Sequence, residues 1–347
     1  MQKQYDAIVY IGRFQPVHLG HLETLRHATR LTNKLIIIVG SSHRPRSYKN
    51  PFTFEERKAM LLQSIRAEGI YNEIDVRIEP NIDTVYDDNA WMSRIQRIVQ
   101  ENTSGLDTKI AIIGHRKDAS SEYIDWFPQW KTIEMPHVEA LDATQIRDLY
   151  FRDNSNPRFI ESVVPSRTMG FLEIFAQSED YKQLVRERKF LDEHAKVYAS
   201  LPYPPTFNTA DAVVTQAGHV LLIKRRAEPG KGLWAFPGGY LNAKTDKSLE
   251  DAMVRELREE TGLKLQEVVI RRSIKAVRTF DAVNRSERGR IITQAFHVSL
   301  TDGEWNLPKV KGMDDAEKAK WVPLSQVKSE EMFEDHYDIF RYFIPGA

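Results

Sequence analysis

Two histidines lie three residues apart in the segment GRFQPVHLGH, which runs from Gly12 to His21. The segment follows a short apolar stretch, so we expect His18 and His21 to project from one face at the start of a helix. A helix start binds anions, and two imidazoles there can hydrogen-bond an α-phosphate as charge develops on it. Gly12 and Gly20 lack a Cβ and permit close approach of a ligand. This segment therefore predicts a site for nucleotidyl transfer.

A second cluster is acidic, in RELREETGL from Arg255 to Leu263. On a helix Glu256 faces Glu260, and Glu259 lies beside them. Such carboxylates repel one another unless a cation neutralises them, and Mg²⁺ prefers oxygen ligands. A bound Mg²⁺ polarises a diphosphate and activates water. The segment therefore predicts a Mg²⁺ site for diphosphate chemistry, and the alternative is an ordinary solvated acidic helix.

Strands and helices alternate in the first half of the chain. This alternation predicts a parallel α/β sheet with right-handed crossovers, in which ligands bind at the carboxyl ends of the strands. The histidine segment follows the first strand directly. The predicted strands are Asp6–Ile11, Lys34–Val39, Asp75–Ile78 and Lys109–Ile113, and the predicted helices include one that Thr53 and Glu56 cap as a capping box and one over Asn89 to Gln100.

The length of 347 residues favours two domains. A charged helical stretch, about Glu179 to Ala199, ends at LPYPPTF, whose prolines cannot continue a helix. We therefore predict a first domain over residues 1–180, a helical linker over 181–202 and an α+β domain over 203–347. The strands predicted in the second domain are Ala212–Thr215 and His219–Lys224, which form a hairpin, and Val268–Ile274 and Ile291–Val298.

The first site resembles a known family. HLGH fits the H-x-G-H pattern of the nucleotidyltransferase superfamily, and GRFQPVHLGH resembles nicotinamide-mononucleotide (NMN) adenylyltransferases of the archaeal type. The stretches Asn50–Arg57, Gly114–Ser120 and Leu141–Arg147 agree with that resemblance. Asp142 and Ala143 stand where the family has serines, and Asp142 can cap its helix.

The resemblance implies a Rossmann-like nucleotidyltransferase fold and roles for individual residues. Thr144 and Arg147 would hold the β- and γ-phosphates of ATP, Arg13 would join them, and Trp91 would stack on the nicotinamide ring. The implied catalytic residues are His18, His21 and Arg147, and the implied ATP- and NMN-binding residues are Gly12, Arg13, Phe14, Gly20, Trp91, Asp118 and Thr144.

The second site resembles a Nudix box, G-x5-E-x7-R-E-U-x-E-E-x-G-U. Ser248 or Asp246 can start its helix, and Gly262 would end it. The front of the box is irregular, because Thr245 stands where the family has Glu and the segment is two residues too long. Either Asp246 substitutes for that Glu or the position is vacant. The resemblance also implies that Arg255 orients the glutamates.

The substrate class is implied by two further segments. Asn284–Ile291 resembles the R-D-P-R-G-R segment of Nudix ADP-ribose pyrophosphatases, and its alternative is a basic hairpin tip. Gly312–Trp321 also matches that subgroup, in which a late acidic residue completes the metal site; Glu317 and Asp315 are the candidates. The implied ADP-ribose ligands are Arg285, Arg288 and Arg290, and the implied catalytic and metal set is Gly239, Glu256, Glu259, Glu260 and Glu317.

Composition limits the remaining function classes. The 49 basic and 49 acidic residues balance, so nothing global favours nucleic-acid or membrane binding. The absence of cysteine excludes disulfides and a thiolate nucleophile, and fits a reducing cytoplasm. No signal-peptide pattern precedes the first strand, and no apolar run is long enough to span a bilayer. We expect a cytoplasmic protein whose partners are small nucleotides, and a homo-oligomer is compatible with this.

The two resemblances together indicate a bifunctional NMN adenylyltransferase/Nudix hydrolase. The first domain would join ATP and NMN to give NAD and pyrophosphate. The second would hydrolyse ADP-ribose to AMP and ribose 5-phosphate with Mg²⁺, which Mn²⁺ can replace. One alternative is that the Nudix domain is a sensor that binds a nucleotide without hydrolysis. Another is that nicotinate mononucleotide is the preferred acceptor.

Overall fold

The chain has two compact units, Met1–Arg188 and Lys189–Ala347, in a computed structural model. The division falls within one helix, whereas the sequence places it after that helix, so the predicted domain bounds stay a prediction. The structure describes residues 3–70, 74–103, 108–116, 119–136, 142–152, 157–300 and 306–346. Within these ranges no helix is long and apolar enough to cross a membrane.

The first unit contains a five-stranded parallel sheet, in the order β3-β2-β1-β4-β5. Because β1 lies between β2 and β4, the chain crosses to opposite sides of β1, and a crevice opens at the carboxyl ends of β1 and β4. Such a crevice is where open α/β sheets bind ligands. The strands are β1 (Ala7–Gly12), β2 (Lys34–Val39), β3 (Asp75–Pro80), β4 (Ile110–His115) and β5 (Lys131–Met135).

The four predicted strands of this sheet are confirmed within about two residues, and β5 was missed. β1, β2 and β4 are aliphatic and almost fully buried, as a central parallel strand requires. β5 is an edge strand with the sequence KTIEM, and only Met135 of its five residues is buried, so it lacks the apolar run on which the prediction depended.

The two helices predicted in the first half of the chain are both present. Thr53 and Glu56 form the predicted capping box of α2, and the helix predicted over Asn89 to Gln100 is α3. The helices are α1 (Leu19–Leu31), α2 (Phe54–Ala67), α3 (Asp88–Asn102), α4 (Ala143–Tyr150), α5 (Ser166–Phe175) and α6 (Glu179–Tyr198), which continues into the second unit.

The second unit contains a mixed seven-stranded sheet. Its main order is β10-β11-β6-β7-β12, with β8 paired to β7 and β9 paired to β6. The strands are β6 (Thr206–Gln216), β7 (His219–Arg225), β8 (Trp234–Ala235), β9 (Gly238–Tyr240), β10 (Ile274–Phe280), β11 (Arg290–Ser299) and β12 (Ala316–Pro323), and the helices are α7 (Leu249–Thr261), α8 (Glu267–Arg272) and α9 (His336–Phe343).

The predicted hairpin is confirmed, since β6 and β7 are antiparallel and turn at Ala217 and Gly218, both with positive φ. The strand predicted over Val268–Ile274 is wrong. Most of that segment is α8, in which Val268 and Val269 are exposed. Arg271 of α8 forms ion pairs with two carboxylates at the start of α7, and these contacts stabilise a helix in a run of β-branched residues.

Helix α7 packs one face against the sheet of the second unit. Ala252, Met253 and Leu257 are fully buried in a core with residues of β6, β7 and β11. This packing fixes the rotation of α7 about its axis. The glutamates between and beyond these apolar positions are therefore placed by the core.

Candidate active sites

The histidine segment lies at the crevice of the first unit. β1 ends at Gly12, and α1 begins one residue after His18, which is its N-cap. A Cβ on Gly12 would lie 2.9 Å from the ring of Phe14, tighter than real contacts allow. Phe14 itself has φ of 54°, in the left-handed region, and is buried. Gly12 and Phe14 therefore shape the turn that brings the histidines to the strand end.

The two histidine rings are brought together as predicted. Their centroids are 3.6 Å apart in a stacked arrangement. The backbone N–H of His18 donates to Nδ1 of His21 at 3.1 Å. Because a backbone N–H can only donate, Nδ1 of His21 is an acceptor, and a neutral ring carries its proton on Nε2.

The environment keeps His21 neutral. Burial lowers the pKa of His21 well below its ordinary value, and the neighbouring His18 and His115 lower it further. The Phe14 ring lies 4.7 Å from the His21 ring and forms part of this apolar surrounding. A neutral imidazole with Nε2–H can donate a hydrogen bond to a phosphate oxygen without a change of charge.

His115 is a third histidine of this site, and no role was predicted for it. Its Nε2 lies 3.0 Å from Oγ1 of Thr24 on α1, and its Nδ1 lies 2.9 Å from the carbonyl oxygen of Pro136. It follows the aliphatic run of β4, as the histidine segment follows that of β1. The position at the end of a central strand was the signal that could have identified it.

Arg147 and Thr144 meet next to this segment. Arg147 is buried on α4, where it donates to the carbonyl of Gln15 at 3.0 Å and to Oγ1 of Thr144 at 3.2 Å. Asp142 caps α4 and accepts from the backbone N–H of Thr144 at 2.6 Å. The Asp142 carboxylate therefore caps the start of α4, as the side chain of a serine at this position could also do.

A buried arginine that was not predicted supports the loops of this site. Arg57 of α2 is 1% exposed and donates to the carbonyls of Arg13 and Gly40 at 2.7 Å each, and to that of Ser41 at 3.2 Å. These three residues follow β1 and β2, so one guanidinium ties together the ends of two adjacent strands. Arg13 itself is exposed at this edge. Charge-assisted bonds of this kind hold a loop firmly.

Trp91 lies on α3 and is half-buried. Its ring makes T-shaped contacts with Tyr123 and Trp126, with centroids 5.8 Å apart in each case. Such packing orients an indole but does not itself show a stacking role, so the nicotinamide contact stays a prediction. Gly20 is buried in the first turn of α1. The predicted residue Asp118 lies outside the described residues.

The carboxylate cluster of the second unit lies on α7, as predicted. Ser248 caps this helix by accepting from the N–H of Asp251, and Gly262 ends it in the left-handed conformation with φ of 59°. The side chain of Glu260 is buried, with 4% of its surface exposed, while the preceding residue, Glu259, is exposed. The described residues contain no group of three His, Asp or Glu side chains already arranged to hold a metal.

Two glycines of β9 make room for these carboxylates. Oε2 of Glu260 accepts from the N–H of Gly238 at 2.8 Å, and a Cβ on Gly239 would overlap the carboxylate of Glu256. Burial raises the pKa of Glu260 to about 8 and also raises the pKa of Glu256. Carboxylates whose ionised forms are disfavoured in this way gain most from a nearby divalent cation.

Arg255 connects these glutamates to Asp246. Its guanidinium donates to both oxygens of Asp246, at 2.9 and 2.8 Å, and to Glu256 at 2.8 Å and Glu259 at 3.0 Å. The hydrogen bonds from Arg255 lower the pKa of Asp246 to about 2. The sequence left two alternatives for the missing glutamate of the Nudix box: Asp246 substitutes for it, or the position is vacant. The ion pair with Arg255 favours substitution by Asp246. Thr245 is exposed.

The three arginines predicted to bind ADP-ribose have different surroundings. Arg285 is buried and forms a bidentate ion pair with Asp335, with N–O distances of 2.9 and 2.7 Å. Its guanidinium is therefore bound to a carboxylate inside the protein. Arg290 donates at 2.6 Å to the carbonyl of Asp281, within the β10–β11 connection. Arg288 lies beside the Tyr240 hydroxyl at 3.5 Å and pairs with Glu334. Arg288 is the one of the three that adjoins β9.

Replacing Arg285 with leucine is expected to cost about 3–5 kcal/mol in the free energy of unfolding, because it leaves the Asp335 carboxylate buried without its cation. Urea denaturation of the intact chain measures this. The double variant Arg285→Leu/Asp335→Leu is expected to recover most of the loss, since both charges are then removed. Unchanged stability of the single variant, with a raised KM for ADP-ribose, would instead support the predicted ligand role.

Asp314 is a further candidate for the late acidic residue, beside the predicted Glu317 and Asp315. The charge of Asp314 is close enough to Glu256 to contribute to its raised pKa. Met313, which precedes Asp314, donates its backbone N–H to the carbonyl oxygen of Glu260 at 3.0 Å. Glu317 is exposed on β12, and Asp315 lies near Arg225. The left-handed φ of 47° at Asp314 places it in a turn that the sequence did not reveal.

Comparisons with known proteins match each unit separately. Residues 9–149 match the family model described as cytidylyltransferase-like, and residues 205–343 match the NUDIX domain. A nicotinamide/nicotinic acid mononucleotide adenylyltransferase of Acinetobacter baylyi is 37% identical over 191 residues, 54% of this chain and 96% of that protein. An ADP-ribose pyrophosphatase of Methanocaldococcus jannaschii is 30% identical over 134 residues, 39% of this chain and 70% of that protein.

The whole chain matches a solved structure. A bifunctional NMN adenylyltransferase/ADP ribose pyrophosphatase of Francisella tularensis, in a crystal with AMP and a manganese ion, is 32% identical with a TM-score of 0.88. The match covers 98% of each chain. The Rossmann-like and Nudix folds predicted from the sequence are thereby confirmed. The chain belongs to the family of bifunctional NMN adenylyltransferase/ADP-ribose pyrophosphatases.

Proposed function

We propose that the first unit transfers the AMP group of ATP to nicotinamide mononucleotide, giving NAD and pyrophosphate. The observation that carries this proposal is the stacked pair His18 and His21 at the crevice between β1 and β4, with Arg147 beside it. The oxygen of the acceptor phosphate attacks the α-phosphorus, and pyrophosphate leaves. The imidazole N–H groups stabilise the charge that grows on the α-phosphate oxygens, and no covalent intermediate is needed.

Neighbouring residues hold the substrates for this step. Arg147, Thr144 and Arg13 would bind the β- and γ-phosphates of ATP, and Gly12, Phe14 and Gly20 would contact the nucleotide. Trp91 would stack on the nicotinamide ring, and Asp118 completes the predicted set. Nicotinate mononucleotide is the second acceptor to test, because the Acinetobacter relative is named for both acceptors.

The second unit, in this proposal, hydrolyses ADP-ribose to AMP and ribose 5-phosphate. The observation that carries it is the buried Glu260 beside Glu256 and the glycines of β9. The residues fit a divalent cation, since burial disfavours their ionised forms. Glu256, Glu259, Glu260 and the Gly239 carbonyl would hold Mg²⁺ or Mn²⁺, with Asp314 added to the predicted candidates Glu317 and Asp315. Such an ion, when bound, polarises the diphosphate and lowers the pKa of water.

The remaining residues position this chemistry. Arg255, fixed by Asp246, holds Glu256 and Glu259 in place, and Arg288 offers a cation to the diphosphate. Arg285 and Arg290 support the segment that carries Arg288. A protein with both sites and small nucleotide substrates would act in the cytoplasm, and its oligomeric state is a separate measurement.

One product assay of the intact protein tests both activities. ATP with NMN should give NAD, and ADP-ribose with Mg²⁺ or Mn²⁺ should give AMP. A preparation that makes no NAD, and in which His18→Ala changes nothing, would overturn the first assignment. ADP-ribose that binds without turnover would favour a sensor for the second unit, while AMP release that depends on Glu260 would favour the hydrolase.

A further inference from the structure

The connection between β2 and α2, residues 40–53, is anchored to α6 within the first unit. Arg46 of the connection forms an ion pair with Asp180 of α6 at 3.1 Å. The backbone N–H of Tyr48 donates to Oε1 of Glu187 on the same helix at 2.8 Å, and both of these residues are buried. Hydrogen bonds to a carboxylate are stronger than those between neutral groups. The start of α6 therefore fixes the course of this connection.

Tyr48 also joins the connection to α4. Its side chain is 5% exposed, and a tyrosine hydroxyl at such a position needs a hydrogen-bond partner. The hydroxyl donates to Oδ1 of Asp148 on α4. Burial raises the pKa of Tyr48 far above its ordinary value, and the hydrogen bond to Asp148 raises it further. The hydroxyl therefore stays protonated and remains a donor to this carboxylate.

Arg188 of α6 completes the contact between these elements. It is the last residue of the first unit. Nη1 of its guanidinium donates both to the Tyr48 hydroxyl and to Oδ1 of Asp148, and its guanidinium carbon lies 4.7 Å from the centre of the Tyr48 ring. Tyr48, Asp148 and Arg188 are called the Tyr48 cluster below. The cluster joins the β2–α2 connection, α4 and α6 through one hydroxyl, one carboxylate and one cation.

The Tyr48 cluster lies next to the arginine that would hold the phosphates of ATP. Asp148 follows Arg147 directly on α4, and the charge of Arg147 is close enough to Tyr48 to lower its pKa. Successive residues of a helix point about 100° apart around its axis. Asp148 can therefore fix the rotation of α4 without occupying the direction in which Arg147 projects.

A second set of contacts ties Arg147 to the same connection. Arg147 donates to the carbonyl of Gln15 in the histidine segment at 3.0 Å. The Gln15 side chain is 1% exposed and exchanges two hydrogen bonds with the backbone of Phe52, each of 2.9 Å. Phe52 and Tyr48 belong to one connection. The histidine segment, this connection and α4 are therefore joined in a closed ring of contacts, which the Tyr48 cluster links to α6.

We propose that the Tyr48 cluster positions Arg147 for the triphosphate of ATP by holding α4 against the histidine segment. Tyr48 and Arg188 are then positioning residues, which act through Asp148. The proposal rests on the proposed adenylyl transfer and adds a residue of α6 to the determinants of ATP binding. A cation that is held in place binds a polyphosphate without first being ordered. Loss of the cluster should therefore weaken binding of the triphosphate and leave binding of NMN unchanged.

The test compares Arg188→Gln with Arg188→Lys in the full chain. Arg188→Gln should lower kcat/KM for ATP by about 10- to 100-fold, mainly through KM, since a remote change that misplaces a binding group by about 1 Å has effects of this size. KM for NMN should stay at the wild-type value. Arg188→Lys keeps the charge but not the planar guanidinium, so its KM for ATP should be intermediate. Tyr48→Phe keeps the ring, removes the hydroxyl and should also raise KM for ATP.

Arg186→Gln is the matched control. Arg186 is exposed and lies two residues before Arg188 on α6, a spacing at which side chains do not share a face. Its KM for ATP should equal that of the wild type. In the reverse reaction, Arg188→Gln should raise KM for pyrophosphate, which occupies the position of the β- and γ-phosphates, and leave KM for NAD unchanged.

Two results would overturn the positioning role while adenylyl transfer itself stands. One is an unchanged KM for ATP in Arg188→Gln, and the other is an equal rise in KM for ATP and for NMN, which would indicate a general loss of structure. If the wild-type protein forms no NAD, the proposed function fails. Calorimetric binding of ATP to the wild type and to Arg188→Gln then decides: weaker binding by the variant supports the positioning role, and equal binding overturns it.

Discussion

His21→Ala is expected to lower kcat for NAD formation by about 10²–10³-fold, the loss typical when one preorganised donor to a developing phosphate or oxyanion charge is removed. Nδ1 of His21 is occupied by the His18 N–H, and the ring is held neutral, so its Nε2–H is available for the transferring phosphate. Steady-state rates of NAD production at saturating ATP and NMN measure the effect. KM for NMN should change much less than kcat.

The matched control for this variant is His27→Ala, six residues further along the same helix. It removes an imidazole from α1 outside the histidine segment, so NAD formation should remain near the wild-type rate. Hydrolysis of ADP-ribose by the second unit should be unchanged in both variants and reports that the second unit is folded. A His21→Ala enzyme with wild-type kcat would contradict the role assigned to this imidazole.

Glu260→Gln is expected to reduce hydrolysis of ADP-ribose by about 10²–10⁴-fold, because the proposed divalent cation would lose a carboxylate ligand and its contribution of several kcal/mol to the reaction would be weakened. The amide oxygen of glutamine can still accept the Gly238 N–H, so the local structure is kept while the charge is lost. Release of AMP measured against Mg²⁺ or Mn²⁺ concentration should show weaker activation by either metal.

Glu250→Gln is the control on the same helix. Glu250 pairs with Arg271 on the side of α7 that faces α8, so its replacement removes a carboxylate from α7 but not from the site. Its hydrolysis rate should stay within a few-fold of the wild type. Should Glu260→Gln and Glu250→Gln lose activity equally, the loss would reflect helix stability and not metal binding. NAD formation should be unaffected by either.

Local patterns were sufficient wherever the chemistry depends on spacing along the chain. His18 and His21, Glu256 and Glu260, and the caps Thr53 and Ser248 each act across three or four residues, a distance that helix geometry fixes. The central strands of the first sheet were also predictable from a local pattern, because a strand that is buried on both faces needs an unbroken run of aliphatic residues. β5 and α8 were not, because edge exposure and the ion pairs of Arg271 are set by the neighbours of these segments.

The sequence by itself thus determined the two families, the two folds and the residues of each motif. Only the tertiary structure decided which distant residues pair with the residues of these motifs. Asp246 forms an ion pair with Arg255, and Asp335 forms an ion pair with Arg285. Each contact joins segments whose separation along the chain is set by turns and sheet pairing. The spatial distance between such residues cannot be predicted from a periodic pattern in the sequence, because it is fixed only when the cores of both units are packed.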